Sequence, residues 1–220
     1  MIRAAFDILL LSLVRDEDAR LSNDDINGAV NNALYRLNQD QPKQTVVDVS
    51  ANNENIISVP IGFEQNFSQV LSVEYPINAR PRSYLNDVYI YQEPTGQVLD
   101  LPEAITGSLR ITFTVRHHID TTSSSFTFEQ QEPLACYAAS ILCGQLATLY
   151  SHDTSSVIQG DSVDHASKAD LFRRRARELD KRYQDYIGID KPKGSASGVV
   201  VSVSNNKSYL THKSRQRAMR

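Results

Sequence analysis

The sequence predicts an α+β protein: a helical bundle of about four helices with an inserted antiparallel β-subdomain and an extended C-terminal arm. Three observations lead there. Apolar residues recur at helical spacing over about 2–14, 22–40, 131–150 and 163–187. Between the second and third of these, over about 45–128, the pattern becomes short β-prone runs separated by turn residues. Finally, the charge balance inverts near residue 190. Residues 191–220 hold seven lysines or arginines and no acidic residue, whereas residues 1–190 hold 16 basic against 26 acidic residues, a net of −10. An acidic body of residues 1–190 and a flexible basic arm of 191–220 are expected to seek different partners.

In chain order, Ile2, Phe6, Leu9, Leu10 and Leu13 form the stripe of a first helix. Asp7 interrupts the apolar run, only Arg3 precedes it as a charge, and no small-residue cleavage site follows. These features argue for a core helix rather than a signal peptide, and the run is too short to span a bilayer. The expected protein is soluble and made in the cytoplasm. Ser22 caps a second helix, with Asp25 near its positive end, Ile26, Val30, Ala33, Leu34 and Leu37 on its apolar face, and Pro42 as its stop.

Candidate strands are Thr45–Val49, Ile56–Val59, Gln69–Tyr75, Val88–Gln92, Gln97–Leu101 and Ser108–Val115. Glu93-Pro-Thr-Gly96 supplies a turn between two of them. Ile111, Phe113 and Val115 alternate with Thr112, Thr114 and Arg116, as a strand with one buried face requires. Helix resumes at Gln131, with Pro133 placed in the first turn, where its missing N–H is harmless. Leu134, Tyr137, Ala138, Ile141, Leu142, Gln145, Leu146 and Leu149 make its broad buried face. A polar loop, Ser151–Asp161, leads to a last helix near Val163 that buries Ala169, Phe172, Ala176, Leu179, Tyr183 and Tyr186 and ends at Gly188 and Pro192.

Catalytic chemistry finds little support. His152-Asp153 lies near Ser151, Ser155 and Ser156, but none of these serines sits in a strand–turn–helix nucleophile context. Cys136, Cys143, His117, His118, His152 and His165 lack paired ligand spacing, so no metal site is expected. The nine glycines are scattered rather than gathered into a phosphate loop, and no cofactor is expected. Cys136 and Cys143 are about 10 Å apart along a helix, too far for an unstrained disulfide, and read as buried thiols of a reducing compartment. The run Arg173–Arg177 is interleaved with Asp170, Glu178 and Asp180, with Arg174–Glu178 as an i,i+4 pair, which suits a solvated or inter-subunit face.

The arm is the better candidate for a partner-binding element. Val199, Val200, Val201 and Val203 form its only apolar run, a β-prone segment able to add to the sheet edge of a partner. Thirty residues span up to about 100 Å extended and about 30 Å as coil, enough to reach a neighbouring subunit.

Several phrases, in this order, resemble bacteriophage head-to-tail adaptor (connector) proteins of the portal-docking type. They are Ala33-Leu-Tyr-Arg-Leu-Asn-Gln-Asp-Gln-Pro42, Phe67-Ser-Gln-Val-Leu-Ser-Val-Glu-Tyr-Pro-Ile77, Tyr84-Leu85, Tyr89-Ile-Tyr-Gln-Glu-Pro-Thr-Gly96 and Ile111-Thr-Phe-Thr-Val-Arg-His-His118. The helix–loop–helix from Ala135 to Gly188 completes the set, with Gly160-Asp-Ser-Val-Asp164 and Phe172-Arg-Arg-Arg-Ala-Arg-Glu-Leu179. The likeness covers roughly residues 15–188; no single phrase encodes chemistry, and the weight lies in their order. The resemblance implies a structural virion protein, not an enzyme, assembled in the host bacterial cytoplasm as a homo-oligomeric ring, usually twelvefold, in the virion neck. Its partners would be the portal protein above, a downstream neck or tail-terminator protein below, and viral DNA in transient contact as it passes; no membrane is implied. Gly194-Ser-Ala-Ser-Gly198 would be the joint of a portal-docking arm made of Val199, Val200, Val201, Val203, Lys207, Tyr209, Leu210, Lys213, Arg215, Arg217 and Arg220. The competing reading is a nucleic-acid-binding module whose basic arm tracks phosphates, which predicts steep salt dependence.

Overall fold

The structure is a computed structural model that describes residues 2–153 and 159–188. Its elements follow the order α1 (Arg3–Val14), α2 (Asn23–Asp40), β1 (Lys43–Ser58), β2 (Val70–Glu74), β3 (Tyr89–Glu93), β4 (Gly96–Val115), α3 (Phe128–Asp153) and α4 (Gln159–Ile187). Four helices and a four-stranded antiparallel sheet make the protein α+β.

α3 is the axis of the bundle, packed by α1, α2 and α4. Its Ala135, Ala138 and Ala139 let neighbouring backbones approach, while Leu134, Leu142 and Leu146 fill the space between them. α1 contributes Phe6, Leu10 and Val14, and α2 contributes Ala29, Val30, Ala33 and Leu37. The α1 stripe therefore starts at Phe6; Ile2 stands outside it as the exposed cap residue. α2 opens with a reciprocal capping box: the Ser22 hydroxyl accepts from the Asp25 N–H at 3.1 Å, and the Asp25 carboxylate accepts from the Ser22 N–H at 2.9 Å. Asp25 thus does more than face the helix dipole.

Two boundaries in the second half differ from expectation. α3 begins at Phe128 rather than Gln131, because the Thr127 N–H finds the Gln130 side chain at 2.9 Å and the Gln130 N–H finds the Thr127 carbonyl at 3.2 Å. Pro133 therefore lies past the first turn. Leu149 is exposed, and Tyr150 takes the buried position, its ring stacked on Phe172 with centroids 5.5 Å apart. α4 is helical from Gln159, upstream of Val163.

The sheet is built around β4. β1 lines one side of it over its whole length; β2 and β3 share the other side, β2 at Phe113–Arg110 and β3 at Asp100–Gly96. Thr45–Val49 and Ile56–Val59, expected as separate strands, belong to the single strand β1, except that Val59 falls past its end. Gln97–Leu101 and Ser108–Val115 likewise merge into β4. The polar breaks between the paired runs are absorbed as bulges. Glu54 pairs with Ile105 and Ile56 with Asp100, so Leu101–Ala104 bow out opposite Asn55, where Pro102 removes no ladder bond. The expected turn Glu93–Gly96 joins β3 to β4, with Gly96 at φ +147°. A second core, Val73, Leu99, Leu101, Ile105, Leu109, Ile111 and Phe113, sits on the inner face of the sheet. Arg110 grips Asp48 bidentately across the β1–β4 pair, at 2.8 and 3.0 Å.

Candidate functional site

Every residue expected in the docking arm, from Val199 to Arg220, lies outside the described residues, as does the Gly194–Gly198 joint. The structure does define where that segment begins. Gly188 closes α4 in the left-handed conformation (φ +77°), its N–H donating to the Gln184 carbonyl at 2.9 Å. The last turns of α4 lie against the end of α2. Tyr183 is buried there, its ring 4.8 Å from Tyr137 and its hydroxyl donating to Asp40 at 2.8 Å; Arg36 holds the same carboxylate at 2.8 Å. Burial, and then Asp40, pushes the Tyr183 phenol far above its ordinary value.

The end of α2 is also where the sheet is attached. The His117 N–H, just past β4, donates to the buried Asn38 side chain on α2 at 2.6 Å. His117 Nε2 lies 2.9 Å from the Gln41 carbonyl, which can only accept, so Nε2 carries the proton and Nδ1 is left to accept from the Ser125 hydroxyl at 3.4 Å. Burial, ahead of nearby positive charge, lowers the His117 pKa and keeps the ring neutral. Beside this latch, a cavity of about 430 Å³ separates α2 from the sheet and is walled by Leu34, Tyr35, Asn38, Phe67 and Arg116. The Arg116 guanidinium stands 4.8 Å over the Phe67 ring and 3.4 Å from Glu64.

A second surface forms where the end of α1 meets the middle of α4. Arg15, Lys168, Arg174, Arg175 and Arg182 surround Leu171, and adjoining cavities of about 340, 230 and 280 Å³ all share that leucine. The cations fall into two groups. Lys168 pairs with Asp18 at 3.3 Å, and Arg182 pairs with Glu178 at 2.7 Å. Glu178 thus turns to Arg182 rather than to Arg174 as expected, in the Glu-before-Arg order that helices favour. Arg15, Arg174 and Arg175 have no ion pair among the described residues. The floor of the groove is polar but satisfied. The Tyr150 hydroxyl donates to Asp18, and burial together with that bond pushes its pKa up to about 12.

Ser151 is a helical residue whose hydroxyl donates to the Ala147 carbonyl at 2.6 Å and accepts from Arg173 at 2.9 Å. Ser155 and Ser156 lie outside the described residues. Cys136 and Cys143 are free and buried as expected, and burial pushes the Cys143 thiol up to about 11. Among the described residues no three His, Cys, Asp or Glu side chains gather as a metal site. α3 is long and apolar enough to cross a membrane, but over half of that stretch is buried within the protein.

Sequence reading reached the arginine run but missed its centre. Leu171 lies beside Phe172 yet off the buried stripe, and an apolar residue on the charged face of a helix was the available signal. The latch left no such signal, since Asn38 and His117 are 79 positions apart.

Taken together, these features define an α+β body with a latched sheet, a cationic groove, and a C-terminal segment leaving beside the latch. No protein-family model matches the chain, and no curated protein matches it.

Proposed function

We propose that the protein is a structural head-to-tail adaptor of a bacteriophage virion: a homo-oligomeric ring that docks under the portal and carries the next neck or tail protein. The observation that carries this reading is the change of sequence character just past Gly188, where the helix α4 of an acidic body closes and a basic stretch with one β-prone run follows. The order of the adaptor-like phrases over residues 15–188 supports it, since those phrases make up the latch region of α2, the sheet and the α3–α4 pair. In this reading Val199–Val203 adds to a sheet edge of the portal, and the cations from Lys207 to Arg220 engage acidic portal surface or passing DNA. Multiplication around a ring makes weak single contacts strong.

The test is to mix portal rings with full-length protein and with a chain ending at Asp190, and to image both by electron microscopy. Full-length protein is expected to decorate the rings and the shortened chain to remain folded but unbound. Equal decoration by both would remove the arm from the reading. The nucleic-acid alternative rests on the basic arm of 191–220, to which Arg15, Arg174 and Arg175, without an ion pair among the described residues, would add phosphate contacts, and predicts DNA binding that weakens steeply with salt. A flat titration with double-stranded DNA removes it.

A further inference from the structure

The cationic groove has a counterpart on the same chain. From Leu85 to Gly107 the sequence holds Asp87, Glu93, Asp100 and Glu103 and no lysine or arginine. These residues form the end of the β ribbon furthest along β4 from the latch, up to about 50 Å from Val115 at strand rise. Register aligns Ile56, Asp100 and Tyr89 across three strands, and Ser58, Val98 and Tyr91 in the next row but one. Leu99 and Ile57 point into the core, so Ile56, Tyr89 and Tyr91 face outward, at 46%, 61% and 59% exposure. The tip is therefore apolar at its centre, with Asp100 between Ile56 and Tyr89, and acidic around it.

The groove is centred on Leu171, 62% exposed, beside Arg15, Arg174 and Arg175, which have no ion pair among the described residues; Lys168 and Arg182 complete its cations, and Glu17, Asp18, Asp170 and Glu178 also line it. Five cations against four carboxylates leave the groove net positive on a body whose net charge is −10. Among the described residues no hydrogen bond, ion pair or ring contact joins tip to groove within one copy. Arg15 adds a further sign. It occupies the left-handed cap position of α1 (φ 53°), where glycine is the low-strain choice, so the site keeps a guanidinium at some conformational cost.

We propose that the acidic, aromatic tip of the β ribbon of one copy docks in the Leu171-centred cationic groove of the next copy. The proposal deepens the ring reading above and rests on it for its biological setting. Each partner offers a different surface, so the interface is heterologous, and repetition of one operator closes a ring or extends a filament. Apolar centres supply burial, and the surrounding opposite charges set orientation and speed association.

Sedimentation velocity of the full-length protein across concentration and salt tests it. Wild type is expected to self-associate, more weakly as salt rises. Asp100→Lys and Arg174→Glu should each weaken association at least about tenfold while circular dichroism stays unchanged. An equal mixture of the two variants should recover it, because each reversed surface then meets a reversed partner. Tyr89→Ser and Leu171→Ser test the same contact without changing charge and should also weaken it. The proposal is overturned if wild type stays monomeric throughout, if these variants associate as wild type does, or if the mixture fails to recover. It is also overturned if Arg215→Glu with Arg217→Glu abolishes association while Arg174→Glu does not, which would make the arm the occupant of the tip. Portal imaging separates the two ideas: decoration of portal rings with association indifferent to these variants defeats the interface alone. Association through these surfaces without portal binding defeats the adaptor reading alone.

Discussion

Replacing Asn38 with alanine tests whether the bundle and sheet are held as one unit. The Asn38 side chain is the acceptor for the His117 N–H at 2.6 Å, and both residues are buried. Asn38→Ala leaves the buried His117 N–H without its protein partner, a penalty of about 1–3 kcal/mol, toward the lower end if water enters from the adjoining cavity. At roughly 2–4 °C per kcal/mol for a body of this size, a loss of about 2 kcal/mol lowers Tm by about 4–8 °C. Asn32→Ala is the control: the same chemical change on the exposed side of α2, expected to be neutral or slightly stabilising through helix propensity. Thermal unfolding by circular dichroism gives the magnitude, and hydrogen–deuterium exchange gives its location. Faster exchange should appear in the first residues of β1 and the last of β4, next to the latch, before it appears in α3. If Asn38→Ala and Asn32→Ala agree within about 0.5 kcal/mol, and exchange at Lys43–Val47 and Ile111–Val115 is unchanged, the latch does not hold the two parts together.

Four further outcomes are expected. His117 is buried neutral with a lowered pKa, so the unfolded chain takes up its proton first as pH falls; stability should decline below about pH 6.5, by at most about 1.4 kcal/mol per pH unit, and His117→Gln should flatten that limb in urea titrations. Tyr150, pushed up to about 12, holds its proton in the native state after an unfolded tyrosine has lost it, so its contribution to stability should fall as pH rises above about 10; in ultraviolet titration Tyr150→Phe should remove one late-ionising phenol. Cys136 and Cys143 should resist a thiol reagent in the native protein and react in step with denaturant unfolding, since both are buried with raised pKa values. Leu142→Ala, at a fully buried position on α3, should cost about 2–5 kcal/mol by urea denaturation, and a loss below about 1 kcal/mol would contradict the packing described.

The helices were legible because their information is local. Phe6 and Leu10, Val30 and Leu37, and Ala169, Phe172, Leu179 and Tyr183 each repeat at helical spacing, and Ser22 and Gly188 mark ends by backbone chemistry alone. The strands were legible in type but not in length. Asn52-Asn53-Glu54 and Pro102-Glu103 read as breaks, yet Asn52 and Glu54 pair with Thr106 and Ile105 while Leu101–Ala104 face Asn55, so the two irregular stretches fall next to one another in the β1–β4 ribbon and cost bulges rather than a strand. That compensation is a property of the pair. The start of α3 was misplaced for a smaller reason, since it is set by a local bond between Thr127 and Gln130, half of a capping box, which the apolar periodicity from Leu134 onward does not show. The latch and the groove were illegible because they join distant segments: Asn38 with His117, and Arg15 with Leu171 and Arg175.

The placement of charge bears on how docking and self-association can coexist. The C-terminal segment leaves from Gly188, close to Tyr183 and Asp40 at the latch, while the groove lies about 26 Å back along α4 at Leu171. Both the segment and the groove are cationic, so like-charge repulsion weighs against the segment occupying the groove of its own or any other copy. The acidic tip is attractive to both. Arg15, at the cap of α1, and Arg174 and Arg175, on α4, gather around an apolar centre. A preorganised set of charges loses less entropy on binding the same anionic surface. The groove should therefore hold the tip in preference to the segment, leaving residues 191–220 available to a second partner. Raising salt should weaken the charge-guided approach of tip to groove while the contacts of Leu171 with Ile56, Tyr89 and Tyr91 persist, so association should fall with salt but not vanish. Complete loss at moderate salt would mean that the apolar centres do not meet, and that the fit between these two surfaces is one of charge alone.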